Sequence, residues 1–146
     1  MIAGIGTDVI ETERMRSAIT RHGDRFLTPV FTSDEIAGAP TGPARDAYFA
    51  ARWAAKEAVS KALGTGIGTE CAWTDVTVRR GPAGEPLVDL SGAARCSARR
   101  RGIGRIHVSL SHERNLAVAM AVAERLHGTA AEASPDLAPG QAAASA

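Results

Sequence analysis

Lys56, Glu57 and Lys61 lie within one short stretch of a 146-residue chain, and the glycine run Gly64-Thr65-Gly66-Ile67-Gly68 follows at once. Arg52 and Lys56 are four apart, as are Glu57 and Lys61, so each pair shares a strip of helix surface. Taken alone, such a strip is a solvated salt-bridge face worth roughly a few tenths of a kcal/mol per pair. The alternative is contact with phosphate. The glycines follow a helical stretch rather than precede one, which rules against a Walker or Rossmann loop. A helix C-terminus carries partial negative charge. An anion there needs Lys61, Lys56 or Arg52, backbone amides in a concave turn, or a metal. Mg²⁺ fits that need, because it accepts one or two carboxylates, waters and pyrophosphate oxygens. Asp8 and Glu57 are the obvious pair if the first strand lies beside the helix, and spacing alone does not place it there.

A second group is HVSLSH, with His107 and His112. Five apart on a regular strand, the two point to opposite faces, which counts against one shared metal. Ser109 and Ser111 go with His107; His112 is in phase with Val108 and Leu110. His112 is either a buried rim histidine or the first residue of a turn that opens on a site.

These residues need elements to hold them. From Tyr48 to Leu63 there is no Gly or Pro, and good helix formers predominate. One long helix is expected, capped near Asp46 and closed at Gly64. Tyr48, Ala51, Ala55, Ala58, Val59 and Ala62 make its apolar side; Trp53, Glu57, Ser60 and Lys61 make the other, with Lys56 beside them. Met1–Ile10 (MIAGIGTDVI) reads as a short buried strand with Asp8 near its end. Its GxG lacks the rest of a dinucleotide fingerprint. Glu11–His22 reads as a shorter helix, made locally basic by Arg14, Arg16, Arg21 and Arg25: a solvated face, or a docking surface for an acidic partner. Phe26–Phe31 is expected to be an apolar connection, Thr32–Ile36 a capped short helix, and Pro40–Pro43 a loop. Trp73–Arg80 and Leu87–Leu90 read as a hairpin about Gly81–Pro86. Ser91–Arg101 is a helix closed by Gly102. Arg105–Ser111 and Leu116–Ala123 read as paired strands, the second buried on both faces. The order points to an α+β domain, a mostly antiparallel sheet packed on one long helix, over residues 1–126. Residues 127–146, rich in Ala and Pro, read as a flexible tail.

Composition narrows the function. Lys plus Arg number 17 against 16 acids, so there is no overall basic field for nucleic acid. The two cysteines, Cys71 and Cys96, form no Cys-x-x-Cys pair, and a reduced cytoplasmic setting is the default. No apolar run reaches membrane-span length, and the start lacks a secretory pattern.

Three segments, GIGTDVIETERM, FAARWAAKEAVSKALGTGIG and HVSLSHERNLAVAMAVAE, together resemble the holo-acyl-carrier-protein synthase family of small 4′-phosphopantetheinyl transferases. The likeness runs from about Ile2 to Glu124, and the three motifs in this order in so short a chain are specific. It implies the 4′-phosphopantetheinyl transferase fold and an enzyme of lipid metabolism. Such an enzyme moves phosphopantetheine from coenzyme A to a serine of apo acyl carrier protein, releasing adenosine 3′,5′-bisphosphate. By resemblance Asp8 and Glu57 match magnesium ligands. Arg52, Lys56 and Lys61, with Gly64, Thr65 and Gly66, match positions around the coenzyme A phosphates, and Ser111 goes with them. His112 matches a histidine near the attacking serine, and Arg14 and Arg21 match positions that dock the carrier. The resemblance also implies a homotrimer with active sites between subunits. In such transfers Lys61 offsets charge on the leaving bisphosphate. The serine proton goes to His112, to Glu57 through water, or to a metal-bound water. Two rivals are a binding module that holds coenzyme A without turnover and a structural oligomer whose charged helix is only a salt-bridge network.

Overall fold

The computed structural model describes residues 1–126; the expected tail, 127–146, lies outside the described residues. The elements run β1 (Ile2–Glu11), α1 (Thr12–His22), α2 (Asp24–Val30), α3 (Ser33–Ala37), α4 (Ala44–Leu63), β2 (Val76–Arg80), β3 (Pro86–Leu90), α5 (Gly92–Arg100), β4 (Ile103–Glu113) and β5 (Leu116–Arg125). All strand pairings are antiparallel: a three-stranded sheet in the order β1-β5-β4 and a separate hairpin, β2-β3. This is an α+β fold.

Alanine sets how closely the layers meet. Ala117, Ala119, Ala121 and Ala123 alternate along β5 and are buried toward α4, whose own buried face includes Ala51, Ala54, Ala55, Ala58 and Ala62. Small residues on both sides let β1 come closer still. A Cβ on Gly6 would lie 1.9 Å from the Ala58 carbonyl oxygen, and one on Gly4 2.1 Å from that of Ala62. Only glycine can rest a strand directly on a helix backbone in this way. The larger core lies at the other end of α4, where the Phe31 and Phe49 rings meet at 4.7 Å, tilted by 53°, and are fully buried. Burying each contributes about 1.5–3 kcal/mol. Helix α4 ends at Gly64, which is left-handed at φ 76°.

The structure departs from the sequence reading in four places. Residues 26–31 are not a mere connection: α2 forms there, because Leu27, Val30 and Phe31 recur at helical spacing and all are buried. Trp73–Asp75 is a 3₁₀ turn rather than strand, fixed by the Asp75 carboxylate, which accepts from the Ala72 and Ala94 amides. Helix α4 starts at Ala44 with no side-chain cap; Asp46 instead accepts from Arg16 on α1 at 2.9 Å. Finally, β1 is not simply buried and β5 is not buried on both faces. On the side away from α4, Ile5 (61%), Val9 (58%), Leu116 (43%), Val118 (41%) and Met120 (52%) stay exposed. Strand β5 alternates in side-chain size rather than polarity, and only its small side packs inside this chain.

Candidate active site

Asp8 lies two residues beyond Gly6 on β1, on the side that faces α4. Because the glycines seat β1 against the helix, Asp8 arrives beside the last turns of α4. There the Lys61 ammonium donates to Asp8 Oδ1 at 2.8 Å and to the Thr7 carbonyl at 3.0 Å. Glu57 is one helical turn before Lys61. Its carboxyl is held above the usual carboxylate range, first by burial and then by the Asp8 charge, with Lys61 pulling the other way. Two acids far apart in sequence are thus near enough in the fold for the charge of one to act on the other. The Asp8 side chain is 18% exposed and that of Lys61 46%, so the cluster opens to solvent.

Chemically this is a pair of hard oxygen donors with one ammonium beside them. Among the described residues no group of three or more His, Cys, Asp or Glu could enclose a metal. Mg²⁺ binds through one or two carboxylates and takes its other ligands from water and phosphate. A cation there would also relieve the repulsion that lifts Glu57. The residues present fit Mg²⁺.

The other expected site residues are placed differently. Lys56 is a correction: it does not lie on a solvated face and cannot reach a phosphate. It is fully buried, and its ammonium donates to Glu35 at 2.8 Å, to the Trp73 carbonyl at 2.9 Å and to the Val76 carbonyl. All three of its donors are used. Ser60 and Trp53, also read as belonging to the polar side, turn inward: Ser60 is buried, and Trp53 is half-buried between Phe26 and Trp73. Arg52 lies with its guanidinium 3.5 Å from the Tyr48 ring centroid. Its Nε is buried without a partner, and burial lowers its pKa. Gly64, Thr65 and Gly66 do not present amides to an anion: their N–H groups bond back to the carbonyls of Lys61 and Ser60, closing the helix. Of the cations expected around phosphate, Lys61 is the one standing beside the two carboxylates.

His112 and Ser111 stand apart within one chain. Asp8 pairs with Ala119, which pairs with Leu110; His112 is two residues further along β4. Ideal strand spacing puts roughly 12 Å between the Asp8 and His112 Cα atoms. His112 shares the α4 side of the sheet, and Ser111 is on the opposite side, in phase with Val118 and Val9. Arg14 and Arg21 are exposed on α1 and line a shallow groove with Glu13, Ser17, Ala18 and His22. Arg16 between them is tied to Glu13 and Asp46, so Arg14 and Arg21 are the arginines of this face without an ion pair among the described residues.

Sequence reasoning missed Glu35. In the sequence it belongs only to the capping signal with Thr32, and the cap is real: Thr32 Oγ1 accepts from the Glu35 amide and the Thr32 amide donates to Glu35 Oε2. The same carboxylate also accepts from the Val78 amide and holds Lys56.

The sequence model of the 4′-phosphopantetheinyl transferase superfamily matches residues 4–121. A holo-[acyl-carrier-protein] synthase of Jannaschia sp. (strain CCS1) is 46% identical over 143 residues, covering 95% of each chain. The crystal structure of holo-[acyl-carrier-protein] synthase from Neisseria meningitidis superposes with a TM-score of 0.79 at 32% identity, covering 86% of this chain and all of that one. That of the enzyme from Bacillus anthracis str. Ames, in complex with CoA (3′,5′-ADP), gives 0.72 at 36% identity over 86% of this chain and 99% of that one.

Proposed function

The chain belongs to the 4′-phosphopantetheinyl transferase superfamily, and from that premise we propose how its residues carry the reaction. It transfers 4′-phosphopantetheine from coenzyme A to the serine hydroxyl of apo acyl carrier protein and releases adenosine 3′,5′-bisphosphate. It thereby acts as a holo-[acyl-carrier-protein] synthase. The observation that carries the mechanism is the convergence of Asp8, Glu57 and Lys61 where β1 rests on α4.

Asp8 and Glu57 would hold Mg²⁺, which would supply positive charge at the diphosphate of coenzyme A. The serine oxygen forms a bond to the phosphorus nearest pantetheine, and the bond from that phosphorus to the oxygen bridging to the bisphosphate breaks. Lys61 offsets the charge on that departing oxygen and can give it a proton. Such transfers depend chiefly on positioning and charge neutralisation.

His112 takes the serine proton, and it does so from a neighbouring subunit. The separation of His112 from Asp8 along the sheet supports this, as does the uncovered apolar face of Ile5, Val9, Leu116, Val118 and Met120, which a homotrimer would bury. The carrier docks on Arg14 and Arg21, which have no ion pair among the described residues. The near-neutral chain offers no general nucleic-acid surface. No helix among the described residues is long and apolar enough to cross a membrane. Cys71 and Cys96 are free thiols, in keeping with a cytoplasmic setting.

The direct test is incubation with coenzyme A, Mg²⁺ and an apo acyl carrier protein, followed by mass spectrometry of the carrier. A mass gain of one phosphopantetheine is expected with Mg²⁺ and none with chelator; no gain under any metal condition refutes the proposal. Arg14→Glu should raise KM for the carrier by about tenfold and leave KM for coenzyme A unchanged. An equal rise in both removes the docking assignment. Met120→Asp, placed on the uncovered face, should lower the sedimenting mass from trimer to monomer.

A further inference from the structure

We infer that Glu35 and Lys56 are positioning residues for the metal ligand Glu57: their buried ion pair fixes the rotation of α4 that aims Glu57 at Asp8. This rests on the proposed reaction and adds to it two residues that touch neither substrate nor metal.

Lys56 and Glu57 are consecutive, so they project about 100° apart around one helix. Glu57 lies within reach of the Asp8 charge, and Lys56 is buried in the core. The pair buries both side chains, 0% and 1% exposed. Around it the bonding is complete. The Lys56 ammonium reaches α3 through Glu35, the 3₁₀ turn through the Trp73 carbonyl and β2 through the Val76 carbonyl. The Glu35 carboxylate accepts from the Val78 amide on one oxygen and from the Thr32 amide and hydroxyl on the other. Its own carbonyl accepts from the Tyr48 hydroxyl at 2.7 Å, a second tie from α3 to α4.

Where a helix face packs through alanines, small side chains interlock weakly and do little to stop the helix turning about its axis. On the sheet side α4 meets glycine and alanine. Lys61 bonds β1 at the solvent-exposed rim; the buried directional bonds come from the other side, through Lys56. Side-chain tips sit about 5–6 Å from a helix axis, so a turn of about 10° moves the Glu57 carboxylate by about 1 Å. A displacement of that size costs on the order of 100-fold in rate where reacting groups must be aligned.

The pair can be removed without stranding a charge. In Glu35→Gln/Lys56→Met both charges go together, a change that buried pairs often tolerate. Mn²⁺ uptake is followed by electron paramagnetic resonance with coenzyme A present and no carrier, alongside thermal unfolding and steady-state transfer. The double variant is expected to unfold cooperatively, bind Mn²⁺ about tenfold more weakly, and lose about 10- to 100-fold in kcat with KM for the carrier unchanged. Native Mn²⁺ affinity and kcat in a folded double variant overturn the inference, since a purely structural pair predicts that result. If the double variant does not fold, Glu35→Asp keeps the charge but shortens the reach. Weakened Mn²⁺ binding in that folded variant supports the inference, and native binding overturns it. A native chain that neither transfers phosphopantetheine nor takes up Mn²⁺ refutes the reaction itself and this inference with it, a result distinct from a defect confined to the variants.

Discussion

Two lysines five residues apart on α4 each bond a carboxylate at 2.8 Å, and the two pairs serve opposite ends. Lys61–Asp8 is open to water, 46% and 18% exposed, and its ammonium keeps a second bond to a strand carbonyl. Lys56–Glu35 is sealed and fully bonded. Solvent is what separates them. An exposed pair contributes at most about 1 kcal/mol, so its partners are free to exchange for a ligand. A buried pair is held by the cost of leaving either charge alone, about 3–5 kcal/mol. Identical chemistry thus yields a reagent at the rim and a fixed joint in the core.

The sharpest way to break this contrast is to truncate both lysines. Lys61→Ala should lower transfer by about 10²–10³-fold while changing unfolding free energy by less than about 1 kcal/mol. Lys56→Ala should lose about 3–5 kcal/mol, because Glu35 is left buried and unpaired. Similar stability losses in denaturant titrations of the two variants would erase the distinction.

Gly6→Ala acts on one pair only. Its Cβ would collide with the Ala58 carbonyl oxygen, so β1 must lift away, carrying Asp8 from Lys61 and leaving Lys56–Glu35 in place. A loss of about 1–3 kcal/mol is expected, with transfer falling further than stability accounts for. Unchanged activity at native stability would mean that β1 does not set the site.

The smallest effect is electrostatic. Burial, and then the Asp8 charge, hold the Glu57 carboxyl above its ordinary value of 4.5. The folded chain keeps that proton where the unfolded chain has lost it, so stability falls as pH rises from about 4.5 through the raised value. Glu57→Gln removes this loss. Because the group is partly exposed, the gain is small: Tm should rise by about one or two degrees at pH 7 and not at pH 4. An equal change at both pH values would mean that the carboxylate is not under this strain.

Much of this was legible in the chain, and the gaps have physical causes. That α4 is a helix and β1 and β5 are strands follows from a run of helix formers and from short apolar runs, although each element extends past the stretch so read. Asp8 and Glu57 were legible as candidates, but their meeting depends on Gly4 and Gly6, whose role is steric and leaves no polarity pattern. Lys56 was misplaced because a helical wheel gives direction and not surroundings: a lysine beside Glu57 looks solvated until α3 supplies Glu35. LAVAMAVA reads as doubly buried because every residue is apolar. Its informative signal is volume, alternately large and small, which separates the face that meets α4 from the face left uncovered.

The contact of Gly4 and Gly6 with α4 is main chain on main chain, and this bears on how the protein responds to heat. Rotamers loosen gradually with warming, but peptide groups in direct contact have no such freedom until the strand detaches. The spacing of Asp8 from the helix should therefore hold almost to the melting transition. Turnover should climb smoothly with temperature and then stop within the few degrees over which the chain unfolds, without a long decline beforehand.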